Sequence, residues 1–231
     1  MEKKSLVIIG MSKTASHLYS FIKYHGLFNV VGFAVDEKYL TKDTIHGLPT
    51  FSIEELDEKI DKDNTYLFIA MLWNRLNQDR RKIYERLKEK GFKYANVISP
   101  TAIIRSEIKG DNCWIHDYTI IQNEAKIKNN VMIMAQTLVG ANTTIESHCF
   151  LGAKSTIGGG SRIGEQSFIG INSTIFDDTK IGNKCIVGAC TAVKRNMPNY
   201  SLHKTSSENT TMKQYSESEI EKKLLYKKNV R

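Results

Sequence analysis

The sequence predicts an α/β + β chain: a small Rossmann-like parallel α/β domain followed by a left-handed parallel β-helix. Two observations carry this. Every sixth residue from Ile115 to Val193 is Ile, Val or Leu, fourteen positions without a gap. No α-helix or ordinary strand has that period. A triangular coil does, with one inward aliphatic per side and three sides stacked rung on rung. Upstream, short apolar runs alternate with amphipathic segments, the pattern of a parallel sheet wound with helices.

The other columns of the repeat agree. The residue after the aliphatic is often Gly, as at Gly140, Gly152, Gly158, Gly164, Gly170, Gly182 and Gly188. Corners need unusual backbone angles or close approach, and Gly allows both. The position four after each aliphatic is small from Thr119 to Thr191, with Val131 the one bulkier residue. Cys113, Cys149 and Cys185 fall in that column and read as packing residues rather than metal or redox groups.

In chain order, residues 5–9 read as a buried strand ending at Gly10, and 11–24 as a helix with Leu18, Phe21 and Ile22 on one face. Residues 29–35 form a second strand ending at Asp36. Ser52-Ile-Glu-Glu55 reads as a capping box before a short helix. Residues 66–71 form another strand, and 78–90 an amphipathic helix stopped by Gly91. The expected domains are 1–97, the β-helix domain at 98–200, with its regular coil over about 102–195, and a polar, basic tail at 201–231 with a short helix over 219–227.

The net charge of +8 is partly in that tail. No aromatic–basic interleaving accompanies it, so nucleic acid is not expected and an anionic small substrate explains the sign. No apolar run reaches the roughly 18 residues of a membrane span, and the N-terminus lacks a signal peptide's apolar segment, so a cytoplasmic protein without membrane insertion is expected.

The strand end at Gly10 followed by Ser12, Lys13 and a helix places backbone N–H groups where phosphate binds, although a full G-x-G-x-x-G fingerprint is absent. Asp36 is placed to accept from a ribose or base. Asn74, Arg75, Asn77 and Arg80, with Arg81, follow the third long strand, where arginine clamps a diphosphate.

An α/β unit before a hexapeptide β-helix resembles the NeuD/PglD group of sugar acyltransferases. The likeness is carried by Val7-Ile-Ile-Gly10, Phe33-Ala-Val-Asp36, Asn74 to Arg81, Val97-Ile-Ser-Pro100, His148-Cys-Phe-Leu151, Phe168-Ile-Gly-Ile-Asn-Ser-Thr174 and Ile186 to Lys194. It implies a homotrimer that moves an acetyl group from acetyl-CoA to a sugar, often a nucleotide-linked amino sugar. It also implies acetyl-CoA contacts at Phe150, Ile171, Ala189 and Lys194, with Gly152, Gly170 and Gly188 letting the cofactor approach the backbone. The family carries its catalytic histidine two residues after the aliphatic of one rung. Here that rung reads Val139-Gly140-Ala141-Asn142, so Ala141 stands at the base position, and Phe150 stands where a second histidine lies beside the thioester. Stacking by eighteen makes Asn142, Glu124 and Asp178 the polar groups expected nearest the chemistry, Asn142 to orient and a carboxylate to accept a proton.

The remaining histidines, His116 and His148 among them, read as surface or structural. No three-histidine set has β-helix spacing, so no metal is expected. A neutral amine needs less help from a base than a hydroxyl does. N-acetyl transfer is therefore the favoured reading. Sugar O-acetyl transfer and a weak or inactive homologue that binds a nucleotide sugar or a biosynthetic partner remain as alternatives.

Overall fold

The structure, a computed structural model, describes residues 3–205; the helix expected over 219–227 lies outside them. Five strands open the chain: β1 (Ser5–Ile9), β2 (Asn29–Val35), β3 (Thr44–Ile45), β4 (Leu48–Ser52) and β5 (Thr65–Ile69). They form one sheet in the order β3-β4-β2-β1-β5, parallel throughout except for the β3–β4 pair. β1 lies between β2 and β5 with Leu6 to Ile9 buried on both faces, which explains its unbroken apolar run.

Helix α1 (Lys13–His25) begins where the Ser12 hydroxyl accepts the Thr14 N–H at 3.2 Å and ends where Gly26 turns left-handed. Helix α3 (Gln78–Glu89) follows β5, and Gly91 behind it has φ +83°. The expected capping box is corrected. Ser52 ends β4 and its hydroxyl donates to Glu54 at 2.7 Å, while α2 (Leu56–Lys59) starts at Glu55 without a side-chain cap. Strands β3 and β4 were not expected; β3 is a two-residue edge strand and β4 beside it carries Pro49, so the period-two signal is weak.

The hexapeptide region is the left-handed β-helix. Two-residue strands stack in parallel at a register of eighteen, for example Trp114↔Met132↔Phe150↔Phe168↔Ile186. Three faces result. Face one runs from Val97–Ile98 to Leu202–His203, face two from Ile103–Ile104 to Ala192–Val193, and face three from Lys126–Ile127 to Lys180–Ile181. The inward aliphatics are fully buried from Ile115 to Val187 and Val193 is 2% exposed. Each contributes roughly 1.5–3 kcal/mol.

The corners correct one expectation. The left-handed residue is three after each aliphatic, with φ between +52° and +65° at Asn112, Tyr118, Glu124, Asn130, Asn142, His148 and Asp178 alike. Only Gly160 places glycine there, at φ +68°. The glycines one after the aliphatic instead serve close stacking. A Cβ on Gly140 would lie 2.5 Å from the Gly159 nitrogen, and one on Gly170 2.5 Å from the Ala189 nitrogen. A side chain at Gly170 therefore tests the rung stack rather than a ligand groove. The small column is buried as expected, and its hydroxyls and thiols turn to carbonyls of the adjoining rung: Thr143 to Gly158 at 2.9 Å, Ser167 to Gly182 at 2.9 Å, Cys149 to Gly164 at 3.1 Å.

The α/β domain sits on face one. Trp114, Met132 and Phe150, which point outward from the coil, join Leu6, Leu18, Phe21, Ile22, Phe33 and Phe68 in a single core cluster.

Candidate functional site

A cleft of about 800 Å³ opens at the C-terminal ends of β1, β2 and β5, where open parallel sheets bind ligands. Gly10, Ser12, Asp36, Asn74 and Arg75 of the expected set line it, together with Lys38, Tyr39, Trp73, Lys82 and Arg86, which sequence reasoning missed. Gly10 is required by its φ of +128° and by Ala70, whose carbonyl would lie 3.3 Å from a Cβ there. Its N–H is already committed to the Ala34 carbonyl at 2.7 Å, so Gly10 shapes the cleft rather than donating to a ligand. Lys13 is exposed on α1 and lies outside the lining.

The lining is cationic. Lys38, Arg75, Lys82 and Arg86 face only two acids, Asp36 and Asp79. Arg86 pairs with Asp36, and the Arg75 Nε donates to Asp79 at 2.8 Å. Among the described residues Lys38 and Lys82 form no salt bridge with an acid. A cleft of this sign beside a capped helix N-terminus suits a diphosphate.

Two of the expected contacts are corrected: Arg80 and Asn77 are fully buried and face the coil. The Arg80 Nε donates to Asn130 Oδ1 at 3.1 Å. Its Nη1 donates to the carbonyls of Met71 (3.3 Å) and Leu72 (3.0 Å), and its Nη2 to those of Asn130 (3.2 Å), His148 (3.2 Å) and Cys149 (3.0 Å). Burial lowers its pKa to about 10, so it remains charged at neutral pH. Around it runs a ladder of left-handed corner residues spaced by eighteen. Asn112 Oδ1 accepts the Ile69 N–H at 2.9 Å and its amide donates to Asn130 at 2.7 Å. The Asn130 amide meets His148 Nδ1 at 2.8 Å, and Gln166 donates to the Leu76 carbonyl at 3.0 Å.

Between Trp73 and α3 the chain takes three consecutive left-handed residues: Arg75 (φ +47°), Leu76 (+52°) and Asn77 (+62°). Such residues cost on the order of 1–3 kcal/mol each and persist where surroundings impose them. Here Gln166 holds the Leu76 carbonyl, and the Asn77 amide donates to the Ser167 carbonyl at 3.3 Å.

His148 is 6% exposed, and desolvation first, then Arg81 and Arg80, lowers its pKa from 6.5 to about 3. It is neutral when folded and takes up a proton on unfolding. Its contribution is therefore present above pH 6.5 and is lost as pH falls towards 3. Between pH 6.5 and 5 the unfolding free energy is expected to drop by roughly 2 kcal/mol more in the wild type than in His148→Asn. Urea titrations of both proteins at the two pH values check this; parallel losses would contradict the neutral assignment.

On the coil, Ala141 is half-buried, and Glu124, Asn142 and Asp178 are exposed at the corner between faces two and three. Glu124 and Asp178 are three rungs apart, roughly 14 Å at 4.8 Å per rung, so they do not act on one atom together. All three are left-handed, a conformation that itself favours Asn and Asp. This corner is the one that does not border face one, so within one chain it faces away from the cleft. Of the expected cofactor contacts, Ile171 and Ala189 are exposed at the corner between faces one and two, with Gly152, Gly170 and Gly188 beside them, and Lys194 is exposed at the next corner. Phe150 is corrected: at 3% exposure it is sealed between coil and α/β domain.

A histidine group, His17, His25 and His116, gathers at the α1–coil seam. His116 and His17 Nε2 atoms lie 3.4 Å apart, and His25 meets Asp117 at 3.0 Å. The His116 Nδ1 accepts the Asp117 N–H at 2.8 Å, and burial lowers its pKa. Among the described residues no set of three or more ligands is placed to hold a metal ion, and no helix is long and apolar enough to cross a membrane.

Residues 124–159 match the family described as bacterial transferase hexapeptide (six repeats), and 161–195 the hexapeptide repeat of succinyl-transferase. No curated protein sequence matches significantly. Among solved structures, a histidine-to-alanine mutant of GDP-perosamine N-acetyltransferase from Caulobacter crescentus, in complex with CoA and GDP-perosamine, is similar at 25% identity. That match has a TM-score of 0.77 and covers 87% of this chain and 93% of that one. The acetyltransferase domain of PglB from Neisseria gonorrhoeae matches at 21% identity and TM-score 0.77 over 87% and 97%. WeeI from Acinetobacter baumannii matches at 19% and 0.73 over 85% and 94%. In its repeats and in the α/β domain mounted on them, the chain has the architecture of the NeuD/PglD-like hexapeptide acyltransferases.

Proposed function

We propose that the protein is an acetyl-CoA-dependent N-acetyltransferase acting on a nucleotide-linked amino sugar. The observation that carries this is the cationic cleft at the strand ends of a parallel sheet, bolted to a hexapeptide coil. Its fold matches, over 87% of the chain, an N-acetyltransferase held with CoA and GDP-perosamine. The nucleotide lies in the cleft against Ser12, Asp36, Asn74, Arg75 and Lys82. Acetyl-CoA lies along the coil beside Gly152, Gly170, Ile171, Gly188, Ala189 and Lys194. Asn142 orients the acceptor at the corner beside Ala141, and Glu124 or Asp178 is the carboxylate nearest to it. Because that corner faces away from the cleft of its own chain, the acting unit is a homotrimer in which cleft and corner come from neighbouring protomers.

The reaction joins the acceptor nitrogen to the acetyl carbonyl carbon, breaks the thioester and releases CoA, with one proton leaving the amine. Incubation with acetyl-CoA and UDP-, dTDP- and GDP-linked amino sugars tests it. The expected result is CoA release matched by a product one acetyl group heavier. Ala141 favours a second reading, a homologue that binds the nucleotide sugar without turning it over; binding without CoA release would select it. Transfer to hydroxy sugars alone would select O-acetylation.

A further inference from the structure

We propose that Trp73 is the sugar-facing platform of the cleft, the surface on which the apolar face of the nucleotide-linked sugar lies. This rests on the nucleotide-sugar reading and deepens it by assigning the sugar end. Trp73 lines the cleft and is 46% exposed. Its ring is nevertheless seated. It stands edge-on to Phe150 (centroids 4.8 Å apart) and Phe168 (5.8 Å), which stack on each other at 5.3 Å and 5°. Behind it, the left-handed turn of Arg75 to Asn77 is tied to the coil through Gln166 and Ser167. A ring fixed by its seat and by its backbone has little freedom left to lose on binding. An indole face left open under such constraint is a preorganised apolar surface.

Its place decides what it meets. The sheet order is β2-β1-β5. Tyr39, which follows β2 and is 57% exposed, and Trp73, which follows β5, therefore stand on opposite sides of the β1 end, and both line the cleft. Trp73 is the lining residue with described ring contacts to the coil. A ligand with its phosphates on the intervening cations turns one end towards Tyr39 and the other towards the coil. On the proposed function acetyl-CoA runs beside Gly152, Gly170 and Ile171, at the corner next to Phe150 and Phe168 on which Trp73 is seated, so the sugar takes the Trp73 side and the base the Tyr39 side.

Calorimetric titration of the full-length protein with GDP, UDP and dTDP, and with their amino-sugar conjugates, tests the assignment in the wild type, Trp73→Ala, Trp73→Phe and Tyr39→Ala. Trp73→Ala is expected to weaken the best-binding conjugate by about tenfold or more while the parent nucleoside diphosphate changes by less than about threefold. Trp73→Phe should lose less, in the same direction, and Tyr39→Ala should weaken parent and conjugate alike. A check that needs no variant is intrinsic fluorescence. The other tryptophan, Trp114, is 1% exposed, so the conjugate should alter emission more than its parent does. Equal losses for parent and conjugate in the Trp73 variants would put the base on the indole and overturn the assignment. Unchanged affinities for both, or equal emission changes, would make the ring a structural seat only. If the wild type bound none of the nucleoside diphosphates, the nucleotide-sugar reading itself would fall.

Discussion

Replacing Arg80 by alanine is expected to lower the unfolding free energy by on the order of 3–5 kcal/mol and to loosen the α/β domain from face one. The guanidinium is fully buried, yet among the described residues no carboxylate forms a salt bridge with it. Its charge is balanced by five backbone carbonyls and the Asn130 side-chain oxygen, drawn from the end of β5 and from two rungs of the coil. Truncation leaves these buried acceptors without their donor, and each buried unsatisfied polar group costs about 1–3 kcal/mol. Arg80→Lys is expected to recover less than half of the loss, because a single ammonium cannot replace a planar fork that reaches both sides of the seam. Denaturant unfolding measures the effect, with nucleotide affinity as the second readout, since Met71 and Leu72 line the cleft. An Arg80→Ala protein with the wild-type midpoint would show that water or a neighbouring group satisfies the seam.

The segment from Asn74 to Arg81 shows what the sequence reading left out. It treated that stretch as one polar block at a strand end. α3 divides it by helical phase. Arg80, Tyr84 and Leu87 are buried, whereas Asp79, Lys82, Ile83 and Arg86 line the cleft, each set spaced by three or four. Applying the 3.6-residue period to 78–89 separates the two faces and identifies Lys82 and Arg86 without coordinates. The coil was legible because every rung repeats one packing problem, so fourteen aliphatics report on a single geometry. The corner ladder of Asn112, Asn130, His148 and Gln166 has the same period of eighteen. It went unread because its partners lie in the other domain, and pairing across domains has no local pattern.

Phe150 carries the same lesson. A hydrophobic residue one before the inward aliphatic points out of the coil, and three in succession on one face, Trp114, Met132 and Phe150, signal a covered face. Family position alone suggested a cofactor contact; the column in which the residue stands predicts burial.

The pH profile of turnover should separate the readings of Ala141. On the proposed function no imidazole serves as base, so kcat/KM is expected to rise smoothly with pH until the sugar amine is deprotonated, with no break near 6.5. The structure supports that expectation for His116 and His148. His148 is sealed with a pKa of about 3, and burial lowers the pKa of His116 at the α1 seam. His116→Asn should therefore leave turnover within about threefold, well short of the 10²–10⁴ that a general base contributes. Restoring an imidazole is the stronger test. The column of position 141 already carries Glu165 and Ile171 at other corners, and Ala141 is half-buried, so Ala141→His should fold. It is expected to raise kcat/KM at neutral pH by at least about tenfold and to introduce a step near pH 6.5 that the wild type lacks. A step already present in the wild type, abolished by His116→Asn, would show that a histidine elsewhere does the proton transfer. An Ala141→His protein that binds both substrates but gains neither rate nor step would remove this corner from the reaction.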